Sequence, residues 1–267
     1  MERIYEKALR GKAIEQFQIL LDSVKGLPPG SPDRQDAYIG ALEKLIGKME
    51  NADVQRDIWD FSYEKKQPVF AQNDKVVIRP VAEGDADLYV AIRMQYSMIY
   101  RAMIGTGEHC SASLFLSDLC QPESFYCMIE NTKKESIGYL GIKDTGSVIW
   151  ELAIEMDKQH TQHGFGPRSI LLFLNTISSI TGRTTFKAAV EADNIPSQKC
   201  FERIGAELVG LCDGPLLKTA DDKKRFEESN LHLIDDNIRI LADRLSVEPR
   251  KLLSHVLEYH MKCPLRL

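Results

Sequence analysis

Two glycines one residue apart, Gly164 and Gly166, are followed at once by Pro167 where the sequence changes its periodicity. The preceding run, SVIWELAIEM (147–156), is typical of a strand. The following run, PRSILLFLNTIS (167–178), has apolar residues at the 3–4 spacing of a helix. Proline suits the first helical position, where its missing N–H costs nothing, and glycine lets a neighbouring group approach the backbone closely. The sequence therefore predicts a strand, a glycine loop and a helix in that order.

This glycine loop has two interpretations. It is a tight turn between a strand and a helix, or its successive N–H groups and the helix N-terminus hold a phosphate group. Short glycine motifs are common by chance, so the loop alone does not decide between the two.

Length, composition and charge favour an ordinary globular protein. A chain of 267 residues with 43% hydrophobic and 27% charged residues suits one domain of about 150 residues with smaller additions. The net charge of −5 argues against nucleic acid as the main partner. No apolar run approaches the roughly 20 residues that span a bilayer, and the start MERIYEKALRG is charged, so we expect a cytoplasmic protein without a membrane partner. The six cysteines form no CxxC pair, which predicts reduced thiols and no bound metal.

The periodicity divides the chain into three parts. Residues 1–66 are predicted to be an N-terminal helical segment, a hairpin whose apolar faces need a partner, either the main domain or a second copy in a homodimer. Residues 75–235 alternate strands and helices, with Asp85 suited to cap the first helix. Residues 236–267 are predicted to be a C-terminal helical extension. The predicted strands are 75–80, 125–130, 136–143, 147–156, 185–192, 206–211 and 230–234.

A second motif follows the predicted strand 185–192. In DNIPSQKCFERIGAELVG, Asn194 and Ser197 begin a predicted helix and Phe201 lies one turn further on. Asn194 is suited to cap this helix, and Gly205 to end it in a left-handed conformation.

With both motifs in this order, the sequence resembles the GNAT superfamily of N-acyltransferases, and within it the subgroup that includes ribosomal-protein N-terminal acetyltransferases. The first family motif, Gln/Arg-x-x-Gly-x-Gly/Ala, corresponds to residues 161–166. The second, Asn-x-x-Ser/Ala followed by an aromatic residue and Gly, corresponds to residues 194–205. The resemblance covers roughly residues 75–234. It implies an α+β (mixed α/β) fold, with a central, mostly antiparallel twisted sheet flanked by helices.

The resemblance implies an acetyl-CoA-dependent N-acetyltransferase. The acetyl group would pass to a primary amine, of a protein N-terminus or of a small molecule, by direct attack on the thioester. Acetyl-CoA is implied as the donor substrate, and no metal is implied. The residues that the resemblance assigns to acetyl-CoA are Ile154, Glu155, Met156, Gln162, His163, Gly164, Phe165, Gly166, Arg168, Asn194, Ser197 and Phe201.

Two positions depart from the family pattern. Thr161 stands where Gln or Arg is usual, although Gln162 and Arg168 lie near enough to assist a phosphate. Phe201 replaces a tyrosine that many relatives use to protonate the departing thiolate, which leaves the general acid unassigned.

In relatives the acceptor is contacted by the segment between the first two helices, here around 96–111, and by the loop between the last two strands. Those segments carry charge of both signs, so the sequence does not identify the acceptor.

The attacking amine must lose a proton, and an α-amine with a reference pKa of about 7.7–8.0 needs less help than a lysine near 10.4. Glu151 is the first candidate for the base and Glu191 the second, and the alternative for each is a solvent-facing carboxylate without a catalytic role.

Two other classes of function remain. The departures at Thr161 and Phe201 support a CoA-binding sensor without turnover. Residues 241–253 resemble a DNA-binding helix-turn-helix. The lack of an excess of basic residues in this segment argues against DNA binding.

Overall fold

The structure is a computed structural model that describes residues 15–26, 69–96, 124–214 and 219–266, with the single positions 39, 42, 43, 46, 119 and 217. The helices within these residues are α1 (15–25), α2 (Ala86–Tyr96), α3 (Phe165–Thr181), α4 (Ile195–Arg203), α5 (Ala220–Ser229), α6 (Asp236–Leu245) and α7 (Lys251–Ser254). The strands are β1 (Ala71–Gln72), β2 (Val76–Pro80), β3 (Phe125–Asn131), β4 (Ser136–Ile142), β5 (Trp150–Met156), β6 (Thr185–Val190), β7 (Glu207–Asp213) and β8 (His255–Lys262). Within the described ranges, no helix is both long and apolar enough to cross a membrane.

The eight described strands form one sheet in the order β1-β2-β3-β4-β5-β6-β8-β7. Neighbouring strands run antiparallel, except that β5 and β6 run parallel. This confirms the predicted mixed α/β fold with a mostly antiparallel sheet. The parallel pair requires a crossover connection between its strands, and this connection contains the glycine loop and α3.

The two faces of the sheet are covered by different helices. Helix α3 packs an apolar stripe on one face, here called the α3 face, through Ile170, Phe173, Leu174 and Ile177. Helix α2 packs on part of the opposite face, here called the α2 face, in a cluster that includes Tyr89, Ile92, Met128 and Tyr139. Because side chains alternate along a strand, Trp150 and Leu152 of β5 belong to the α3 face, whereas Glu151 and Ala153 belong to the α2 face.

The start of α2 is fixed by a half-buried ionic network. The Arg79 guanidinium donates to both carboxylate oxygens of Asp85, at 2.7 Å each, and to Glu130 at 2.6 Å. Asp85 also accepts from the N–H of Ala82. Arg79 thus joins Asp85, at the start of the helix, to Glu130 of β3.

The N-terminal segment has an apolar cluster of its own. Leu21 of α1 is buried together with Ile39, Leu42 and Ile46, which are helical residues of the second half of the predicted hairpin. Lys25 of α1 also forms an ion pair with Glu43, which lies in that second half. These contacts are those expected of a helical hairpin, whose other residues lie outside the described part of the chain.

Two predicted elements at the C-terminal end are wrong. Residues 230–234 do not form a strand, because Leu231–Leu233 is a short 3₁₀ helix. Residues 255–262, predicted as helix, form β8, which lies between β6 and β7. Apolar residues at 252, 253, 256 and 257 fit helical spacing, but the alternation of Leu257, Tyr259 and Met261 fits a strand. The segment forms a strand because it pairs with β6 on one side and with β7 on the other.

This change of topology alters two further expectations. The connection between the last two strands is not the short loop around residues 212–228 but residues 214–254, which contain α5, α6 and α7. The suggested helix-turn-helix at 241–253 falls on the end of α6 and the start of α7. Because α7 has only four residues, it is too short to serve as a recognition helix.

Candidate active site

A cleft opens between β5 and β6. These strands pair at two positions, Trp150 with Phe186 and Glu151 with Lys187. Beyond that point β5 continues along β4 and β6 continues along β8, so the strands separate towards their carboxyl ends. In sheets with parallel strands, ligands bind outside these carboxyl ends. We call this opening the β5–β6 cleft.

The backbone of β5 presents free groups to the cleft at alternate residues. Lys143 N–H donates to the Glu151 carbonyl, and Asp157 N–H donates to the Ile137 carbonyl, so the odd-numbered residues of β5 hydrogen-bond to β4. The N–H and C=O groups of Ile154 and Met156 therefore point towards the cleft. Those of Glu155, the third predicted residue, point towards β4.

The Glu155 side chain belongs to a half-buried ion pair. It contacts the Arg93 guanidinium of α2, on the α2 face. Burial, followed by the charge of Glu155, raises the pKa of Tyr139 well above its usual value, so this phenol stays neutral. Nearby, the Tyr96 hydroxyl donates to the Met156 carbonyl at 2.7 Å. The end of α2 thus holds the far end of β5.

The glycine loop turns through two left-handed residues, Gln162 with φ 65° and Gly164 with φ 76°. Gly164 is the N-cap of α3, so Pro167 is the third helical residue rather than the first, still within the turn that has no intrahelical N–H partners. Arg168 Nη1 donates to the Gly164 carbonyl at 3.0 Å, and a Cβ at Gly164 would lie 2.5 Å from that atom. Arg168 thereby places a cation beside the helix N-terminus, where the helix dipole is positive.

The second motif starts α4 beside α3. Asn194 caps α4, as predicted, by accepting from the N–H of Ser197 at 3.1 Å. A Cβ at Gly166 would lie 3.6 Å from Cys200 Sγ, so the start of α3 is close to α4. Phe201 faces the core instead: it is 3% exposed and its ring stacks on Tyr259 at a centroid distance of 5.7 Å. Two helix N-termini therefore lie at the carboxyl ends of the separating strands.

His163 and Phe165 complete the predicted loop. Their rings lie 6.2 Å apart, centroid to centroid, and Phe165 also packs against the core on the α3 face. The loop is therefore anchored to the core by a side chain while its backbone turns at the mouth of the cleft.

The two predicted bases lie on the α2 face but are far apart. Glu151, at the last paired position of β5, contacts Lys143 Nζ at 2.5 Å. Glu191 follows β6 four residues after Lys187, the partner of Glu151, which places it about 13 Å further along the strand direction. Glu191 is exposed as a residue, but neighbouring atoms remove part of the hydration of its carboxylate. This desolvation, followed by the charge of Asp193, raises the pKa of Glu191.

The sequence analysis does not nominate two residues of β8 that lie one strand beyond Lys187, the partner of Glu151. His260 pairs with Lys187, and Glu258 accepts from His260 Nε2 at 2.7 Å. They were missed because residues 255–262 were predicted as helix. The alternating pattern of LEYHM was the signal that could have identified them. Among the described residues, no group of three or more His, Cys, Asp and Glu side chains could hold a metal ion.

Two comparisons with known proteins found matches. A family model for the acetyltransferase (GNAT) domain matches residues 75–207. Solved structures with a similar fold include RimJ from Mycobacterium smegmatis in complex with CoA-disulfide, at 16% identity and TM-score 0.47, covering 74% of this chain and 86% of that one. They also include a spermidine N-acetyltransferase SpeG chimera from Vibrio cholerae, at 12% identity and TM-score 0.47, covering 70% and 95%. No curated protein sequence matches this chain.

At these identities and TM-scores, the two structures identify no substrate. The family model, by contrast, spans the strand, glycine loop and helix on which the cleft is built, together with the second motif. Enzymes with this domain transfer an acetyl group from acetyl-CoA to an amine. The chain belongs to the GNAT family through this domain and is an N-acetyltransferase.

Proposed function

We propose that the protein transfers the acetyl group of acetyl-CoA to a primary amine, of a protein N-terminus or of a small molecule, by direct attack of the amine on the thioester. The observation that carries this proposal is the β5–β6 cleft, with free backbone groups along one wall and two helix N-termini at its mouth.

The pyrophosphate of acetyl-CoA lies against the N–H groups of residues 162–166. The dipole of α3 and the Arg168 guanidinium supply the positive potential that a phosphate needs. No acidic residue occupies the first turn of α3, so nothing on that turn opposes the anion. Gln162 and Gly164 contribute through their left-handed backbone, which brings successive N–H groups to one side.

The pantetheine arm runs along β5, where the N–H and C=O groups of Ile154 and the N–H of Met156 face its amides. A backbone N–H of this wall also polarises the thioester carbonyl as its oxygen gains negative charge. On the opposite side, Asn194 and Ser197 hold the start of α4 in place. Glu155 acts indirectly, because its side chain is committed to Arg93.

During transfer, the amine nitrogen forms a bond to the thioester carbon, and the carbon–sulfur bond breaks. Glu151 accepts the amine proton, directly or through water. Phe201 has no proton to donate, so the CoA thiolate is protonated by water or another group. This is tolerable, because a thiol with a pKa of about 8.5 is a fair leaving group.

The test is acetyl transfer to a panel of amines that contains peptides with free N-termini, lysine peptides and polyamines, measured by release of the CoA thiol. On the best acceptor, Glu151→Gln should lower kcat/KM by roughly 10²–10⁴, with partial recovery at higher pH as the amine deprotonates unaided. The control is Glu202→Gln, a surface carboxylate paired with Arg244, which should match the wild type. Binding of acetyl-CoA without transfer to any amine would favour the sensor instead.

We also propose that residues 1–66 take no part in the chemistry. Their apolar cluster, centred on Leu21 and Ile39, contains no residue of the cleft. The hairpin packs on the main domain or forms a homodimer with a second copy.

A further inference from the structure

A cluster of ionisable side chains lies on the α2 face beside the closed end of the β5–β6 cleft. Across the sheet, Glu151 of β5 pairs with Lys187 of β6, and Lys187 pairs with His260 of β8. One step nearer the open end, Ala189 of β6 pairs with Glu258 of β8. Ala189 lies on the strand that borders the cleft, and Glu258 lies one strand spacing away, about 4.8 Å.

The side chain between Glu258 and the cleft is small. Ala189 is exposed and extends only a methyl group above the sheet. A larger residue would screen Glu258 from an amine at the thioester. With alanine there, no bulky side chain at position 189 separates Glu258 from the cleft.

Glu258 is held by donors from three strands. His260 Nε2 lies 2.7 Å from one carboxylate oxygen, and Lys187 Nζ lies 3.7 Å from the other. Cys212 of β7 faces it as well, and burial, followed by the charge of Glu258, raises the pKa of this thiol to about 11, so Cys212 is a neutral donor. Glu151, its ion-pair partner Lys143 and the exposed Glu207, which pairs with His260, are further ionisable groups of the cluster.

This arrangement follows the logic of an oriented acid–base pair. Since Nε2–H donates to the carboxylate, Nδ1 of the same ring can accept a proton. The Glu258 carboxylate then faces the imidazolium that forms and stabilises its charge. The His260 side chain is 26% exposed, which gives that proton a route to solvent.

Resting on the proposed acetyl transfer, we propose that Glu258 and His260 form a second proton acceptor for the attacking amine, beside Glu151. As the nitrogen–carbon bond forms, an amine proton passes through water to Nδ1 of His260, while Glu258 keeps its contact with Nε2–H and stabilises the imidazolium. The carbon–sulfur bond breaks, the CoA thiolate leaves, and the proton on His260 returns to that thiolate or goes to water. The pair ends the cycle as it began.

The experiment measures kcat/KM against pH, on the best amine of the panel, for wild type, Glu258→Gln and His260→Gln. Glutamine at 260 keeps a donor for Glu258 but cannot take a proton. We expect both variants to lose about 10²-fold near neutral pH and to recover at high pH, where the amine deprotonates unaided. The double variant should lose no more than either single one, because the two residues act as a unit.

The matched control is Glu202→Gln, a surface carboxylate that is paired with Arg244 outside this cluster and should match the wild type. Thermal shifts with acetyl-CoA establish that each variant is folded and binds its donor. Variants that match the wild type, or that lose the same factor at every pH, would overturn the proton-acceptor role while leaving the proposed function standing. A wild type that binds acetyl-CoA but acetylates no amine would overturn both.

Discussion

Replacing Gly164 by alanine should separate the cofactor role of the glycine loop from its role in folding. Gly164 and Gly182 lie at the two ends of α3 with almost the same left-handed backbone, φ 76° and 73°. A Cβ at Gly182 meets nothing within 4 Å, whereas one at Gly164 lies 2.5 Å from Arg168 Nη1. The two alanine variants therefore share the backbone strain and differ in what happens to Arg168.

The magnitudes follow from this comparison. A left-handed backbone costs a residue with a Cβ roughly 1–2 kcal/mol of folding free energy. Each 1 kcal/mol lost should lower Tm by about 2–4 °C, and this applies to both variants without ligand. At Gly164 the guanidinium must also move and give up its bond to the Gly164 carbonyl. We expect this to weaken acetyl-CoA binding about tenfold, which is about 1.4 kcal/mol.

Thermal unfolding with and without acetyl-CoA measures both effects. At about 100 times the wild-type Kd, acetyl-CoA should stabilise the wild type and Gly182→Ala by about 2.7 kcal/mol each. The same concentration is only about ten times the Kd of Gly164→Ala, which should gain about 1.4 kcal/mol. Equal gains in the two variants would refute the assignment of this loop to the pyrophosphate.

Three further outcomes concern the cap, a carboxylate and the N-terminal segment. Asn194→Ala removes the acceptor for the Ser197 N–H and should lower the free energy of unfolding by about 1 kcal/mol in denaturant titrations; an unchanged value would mean that the cap is dispensable. Because the folded-state pKa of Glu191 is raised, its contribution to stability is complete below the unfolded pKa of about 4.3 and is lost as pH rises through the folded pKa, so Glu191→Gln should raise Tm near pH 7 but not near pH 4. Melting curves across that range check this, and a Tm gain that is constant with pH would contradict the raised pKa. Deleting residues 1–66 should leave the acetyl-CoA affinity of the soluble, folded remainder unchanged in calorimetric titration, and a loss of binding would show that the segment contributes to the site.

Local rules predicted the helix ends well. The cap at Asn194 and the left-handed ending at Gly205 depend on the residue and its immediate neighbours, and both are present in the structure. The strands from β2 to β7 were also identified, because their apolar runs have few competing interpretations. Such features can be predicted from sequence because their free energies are mostly decided within a few residues.

Residues brought together by sheet order could not be predicted in this way. The segment 252–261 satisfies helical spacing and strand alternation at once, and β6 and β7 decide between them across a long stretch of chain. Placing Glu258 beside Ala189 requires knowing that β8 inserts between those strands. Local patterns therefore nominated Glu151 and Glu191 as candidate bases and missed the pair of Glu258 and His260.

The late position of β8 in the sequence also bears on how the protein is made. Both β6 and β7 are synthesised before their shared neighbour, and β7 pairs with β8 alone among the described strands. Until residues 255–262 leave the ribosome, the nascent chain carries two strand edges with unsatisfied N–H and C=O groups, which are templates for aggregation. Helices α5, α6 and α7 emerge during this interval. A nascent chain stalled before residue 255 should therefore depend on chaperones, and one that has passed residue 262 should not.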